Sequence, residues 1–108
     1  MINRVMAIAG LLLSSSLLAG TATVSSSFLT CKEDSVDYFC RSHIFIKLDG
    51  NFKSNYTVKF SDGKKLDLTN DSISKGSLSF SDDGSWGSVT FTFHEKNNED
   101  IVLNVNQF

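Results

Sequence analysis

The sequence predicts an all-β fold: a small antiparallel β-sandwich or β-barrel, with about six to eight short strands in a meander. One disulfide pins it, and an N-terminal signal peptide precedes it. Three observations predict this architecture. Apolar residues recur at every second position in one segment after another beyond position 43. Asp-Gly pairs punctuate those segments at short intervals. The first 22 residues carry the pattern of a secretory leader. The expected layout is a cleaved signal peptide over 1–22 and a single all-β domain over 23–108.

The leader comes first. Arg4 is a small basic n-region, and 5–13 (VMAIAGLLL) is an unbroken run of apolar or small residues. Gly20 and Ala22 suit positions −3 and −1 of a small-residue cleavage site, so cleavage is expected after Ala22. A membrane span needs roughly 20 apolar residues, and Ser14, Ser15 and Ser16 interrupt this run. Position 21 is threonine and the first cysteine is Cys31, so no lipid-bearing cysteine follows the small residues. The expected location is the periplasm or the extracellular space, without stable membrane insertion after cleavage.

That compartment decides the chemistry of the two cysteines. Oxidising surroundings favour a Cys31–Cys40 disulfide in so small a domain. In the chain-entropy model a loop of this length is worth roughly 2.5–3 kcal/mol. A metal site wants further Cys or His ligands at short spacing, and only His43 lies near Cys40. A redox pair prefers C-x-x-C, which is absent.

The strands follow in order. Ser25, Ser26 and Ser27 read as a flexible start, and Phe28 and Leu29 begin a first strand. Tyr38 and Phe39 lead through Cys40 into a strand where Ile44, Ile46 and Leu48 alternate with Phe45 and Lys47. Tyr56, Val58 and Phe60 form the next, and Leu66 and Leu68 a short one. Asn70 to Gly76 is a longer connection. Leu78 and Phe80 alternate with serines. Val89, Phe91 and Phe93 alternate with Thr90, Thr92 and His94, and Ile101, Leu103 and Val105 close the series. Turns fall at Asp49-Gly50-Asn51, Asp62-Gly63 and Asp83-Gly84, where Gly supplies positive φ and Asp tolerates it. Parallel pairing would need crossovers longer than these links. The chain has no proline, and its Ser, Asn, Asp and Thr content disfavours helix.

Composition narrows the function. Beyond residue 22 the net charge is −3, with both signs interspersed. Nucleic-acid binding calls for a basic stripe, which is missing. A membrane barrel calls for an apolar outer band, but Ser, Thr, Lys and Asn occupy the positions alternate to the core. Nine Phe, two Tyr and one Trp supply a large core for a short chain.

No nucleophile elbow, zinc-protease motif, P-loop or dinucleotide fingerprint occurs. The acidic pairs Asp82-Asp83 and Glu99-Asp100 read as polar turn segments facing solvent. His43 and His94 read as surface residues at strand ends. The turn carboxylates lack the spacing of a calcium loop. No cofactor, metal or catalytic residue is expected. Sequons stand at Asn55 and Asn70.

The candidate partner-binding residues are aromatic. Trp86 falls on the polar face of its strand, where it is either an exposed anchor or turned inward by a bulge. Phe45, Val102 and Phe108 also lie on faces alternate to the core, and Tyr38 leads into the first strong strand. The expected function is that of a small exported, non-enzymatic binding protein with a protein partner, inhibitor-like or immunity-like. A carbohydrate or small-ligand binder using Trp86 is the alternative. An assembly subunit offering an edge strand over 101–108 is the second alternative.

Overall fold

The computed structural model describes residues 19–33, 36, 38–83 and 87–106. Seven strands form: β1 (Thr21–Glu33), β2 (Tyr38–Asp49), β3 (Phe52–Phe60), β4 (Lys65–Thr69), β5 (Ser77–Asp83), β6 (Ser88–Glu95) and β7 (Ile101–Asn106). They make two antiparallel sheets, ordered β1-β2-β5 and β4-β3-β6-β7. The fold is therefore a sandwich with edges at β1, β5, β4 and β7, rather than a closed barrel. Three pairings join consecutive strands, while β2–β5 and β3–β6 join strands three apart in the chain.

Period-two patterning builds the core. Ile44, Ile46, Leu48, Leu78 and Phe80 face inward from one sheet. Tyr56, Val58, Phe60, Val89, Phe91, Phe93 and Val105 face inward from the other. β6 is the regular case, with every second side chain buried from Val89 to Glu95. The sheets lock through rings: Phe80 of β5 meets Phe91 of β6 edge to face, centroids 5.3 Å apart. Such contacts add about 0.5–1.5 kcal/mol to area burial.

The connection over 70–76 holds one 3-10 turn, Asp71–Lys75, that plugs the sandwich with Ile73, 1 % exposed. Asn70 caps it, its side-chain oxygen accepting from the Ser72 amide at 3.0 Å. Gly76 ends it at φ 97°, a left-handed conformation suited to glycine, and its carbonyl accepts from the Leu48 amide.

The N-terminal segment is more regular than its sequence suggests. β1 starts at Thr21 and runs through the serines as the longest strand. The ladder to β2 dictates this, since twelve residues of β1 have partners on β2 and a bulge at Ser25 absorbs the single register shift. The expected cleavage point after Ala22 lies inside β1. Residues 1–18 of the expected leader, the Asp83-Gly84 turn beyond Asp83, Trp86 and Phe108 lie outside the described residues. Among the described residues no helix is long and apolar enough to cross a membrane.

Two outcomes follow from this packing. Phe91→Ala empties the fully buried centre and should lower stability by about 3–5 kcal/mol in urea melts. Burial raises the Tyr56 phenol above its usual value of 10.0. The folded state then holds a proton that the unfolded chain releases. Stability should be full below about pH 10 and fall as pH rises beyond it, and Tyr56→Phe should flatten that alkaline limb.

Candidate functional site: the outer face of the three-stranded sheet

The disulfide Cys31–Cys40 joins directly opposed residues of β1 and β2. Counting outward from it gives the register: Thr30 faces Arg41, Phe28 faces His43, and Lys32 faces Phe39. β5 then brings Asp83 beside Arg41, Ser81 beside His43 and Ser79 beside Phe45. Opposed residues on an antiparallel pair share a face. Phe28, Thr30, Phe39, Arg41, His43 and Phe45 thus gather on the side away from the core.

The middle of this face is an ordered polar and aromatic patch. Phe28 stacks on His43 with centroids 4.9 Å apart, and on Phe45 at 5.9 Å. His43 lies between two hydroxyls, with Nε2 2.7 Å from Thr30 Oγ1 and Nδ1 3.1 Å from Ser81 Oγ. A neutral imidazole donates through one nitrogen and accepts through the other, and hydroxyls serve either role. Arg41 donates to Asp83 Oδ1 at 2.5 Å. Both of these side chains are solvated, so the pair adds little stability. Thr30, Lys32, Phe39, Arg41 and Asp83 line a depression of about 300 Å³.

Nucleophilic chemistry asks for more than a hydroxyl against an imidazole. A third group must hold the imidazolium that forms, and donors must meet an oxyanion. The group opposite Nδ1 is the neutral Ser81 hydroxyl. Among the described residues no three His, Cys, Asp or Glu side chains cluster as metal ligands. The second histidine, His94, meets Asp100 at 2.9 Å on the other sheet, away from this patch.

β5 pairs with β2 only from Arg41 to Lys47. Among the described residues, the stretch of β2 over 38–40, with 31–33 of β1 opposite, pairs with no third strand and forms a two-stranded arm. Its end exposes large apolar side chains beside Lys32 and Glu33: Phe39 is 54 % exposed, Tyr38 68 % and Val36 85 %. Of the sequence candidates, Tyr38 lies on this arm, on the opposite face from Phe39. Phe45 is half-buried under Phe28. Val102 is exposed but belongs to β7 of the other sheet, so it forms no patch with Phe45. Phe28, Phe39, Arg41 and Asp83 join the site only through register. The signal that finds Phe28, Phe39 and Arg41 is the cysteine pair, because placing Cys31 opposite Cys40 sets the neighbouring β1–β2 pairs; Asp83 comes only with the pairing of β5.

Replacing both cysteines with serine should cost about 2.5–3 kcal/mol. Hydrogen exchange should locate the loss: amides over 30–33 and 38–41 lose protection, while those over 89–93 keep theirs until global unfolding. No protein-family model, curated protein or solved structure matches the chain, which leaves the chemistry of this face as the ground for a functional reading.

Proposed function

We propose that the protein is an exported, non-enzymatic binding protein that engages a protein partner in the periplasm or outside the cell. The β1–β2 arm and the outer face behind it make the contact. The observation that carries this reading is the concentration of exposed rings on that arm and the face behind it: Tyr38 and Phe39 on the arm, Phe28 on the face. Exposed rings elsewhere among the described residues are few, since the remaining aromatics of β3, β5 and β6 are buried.

Energetics support it. Aromatic and arginine side chains dominate the energy of protein interfaces, provided a rim excludes water around them. Arg41 and Lys32 flank Phe39 and supply such a rim. Binding also costs the ordering of whatever is mobile beforehand. Among the described residues the arm has one ladder to order it, and the Cys31–Cys40 bond supplies the second constraint. Oxidising surroundings are needed to keep that bond, which fits the leader pattern of residues 1–22. Inhibitors of envelope hydrolases and immunity proteins are of this general kind, a likeness of class rather than of site.

Capture on immobilised wild-type protein, from envelope and secreted fractions, tests the reading. A discrete protein partner is expected. Phe39→Ala and Tyr38→Ala should each weaken capture about tenfold or more with the melting temperature unchanged. Val102→Ala, on the other sheet, should bind like wild type. Equal capture by all three variants, or no protein captured by wild type, would count against it.

A further inference from the structure

The far end of the sandwich holds a buried carboxylate. Glu95 closes β6 and is 7 % exposed. Its Oε1 accepts from the Gly20 backbone nitrogen at 2.5 Å, and its Oε2 lies 3.4 Å from Asn98 Nδ2. The ion pairs among the described residues are Arg41–Asp83 and His94–Asp100, and Glu95 belongs to neither. A carboxylate removed from water without a cation is costly by several kcal/mol.

Gly20 is seated where no other residue fits. A Cβ on it would come 2.8 Å from the Asp49 carbonyl oxygen and 2.9 Å from the Phe52 ring. Gly50 packs over it from the β2–β3 turn. The niche therefore takes a backbone nitrogen, stripped of side chain, and aims it at the buried carboxylate. Ala19, one residue earlier, is exposed.

We propose that the export leader is cut between Ala19 and Gly20, and that the new α-ammonium of Gly20 docks on Glu95. The proposal rests on the export reading above. In the cut, a leader peptidase adds water across the Ala19–Gly20 peptide bond. Ala19 leaves as a carboxylate that keeps the water oxygen, and the Gly20 nitrogen takes both water protons to become an ammonium. Ala19 supplies the small residue at −1, while Leu17 at −3 departs from the small-residue pattern, so the niche around Gly20 and not the motif carries the assignment. Cleavage acts on the exported chain before it folds, so the burial of Gly20 does not protect the bond. The folded domain then gains a cation where it already holds an anion, and a charge-assisted contact replaces an amide one. Cleavage after Ala22 would forfeit this contact. It would also remove Thr21 and Ala22 from their pairing with Asp49 and Leu48, although Ala22 packs against the core.

The full chain, produced in an export-competent host with a C-terminal tag, gives the first test through intact mass and N-terminal sequencing. Gly20 is expected as the first residue. A chain beginning at Thr23, or at any other residue past the leader, overturns this proposal and leaves export standing. A retained leader overturns both. The second test compares chains released by a site-specific protease at Gly20 and at Ala19. The chain with the extra Ala19 should melt about 5 °C lower, and this difference should vanish in a Glu95→Gln background. Equal melting of the two chains in the wild-type background overturns the ammonium–carboxylate contact.

Discussion

The structure depends on one constraint: two sheets must bury their inner faces against each other with rings large enough to fill the gap. Phe91 sits at the centre of that gap, fully buried, with Phe80 edge-on from the opposite sheet and Tyr56 and Phe93 alongside. A domain this short buries a modest fraction of its surface, so each ring carries an unusual share of the stability. Everything outward-facing is consequently free to be polar. The Thr, Ser and Lys residues of β3 and β6 occupy those positions and mark the four-stranded sheet as a solvated outer surface.

The three-stranded sheet departs from that rule. Its outer face carries Phe28 and Phe45 around His43, where the other sheet carries Thr90 and Thr92. The departure has no part in the core, because the inward positions on β2 are already filled by Ile44, Ile46 and Leu48. Rings placed there are held by stacking and by two hydroxyl contacts to one imidazole, an arrangement that orders a surface rather than an interior. Among the described residues the same sheet extends past its third strand into an arm, and the disulfide lies within that extension. Order, exposure and aromatic content thus coincide at one place.

Legibility in the sequence tracked burial. The segments around Ile44, Tyr56, Leu78, Phe91 and Leu103 announce themselves because one face of each is buried and the other solvated, which writes period two into the chain. β1 does not announce itself. It is an edge strand, exposed along most of its length, so nothing constrains Ser25, Ser26 and Ser27 to alternate. Its extended conformation comes from pairing with β2 alone. Tyr38, Phe45 and the cysteines stood out as single residues. Their neighbours Phe28, Arg41 and Asp83 did not, because they are brought together across separations of up to 42 positions.

Composition, turn residues and alternation by themselves determined that this chain makes antiparallel strands, and the two cysteines that it carries one disulfide. These are local consequences of side-chain periodicity and of redox chemistry. Only the tertiary structure decided that the strands divide three and four between two open sheets. It alone placed an aromatic arm at one end and a glycine nitrogen on a buried carboxylate at the other. Which strands become neighbours depends on how two faces fill a shared volume, and no single segment of sequence records that.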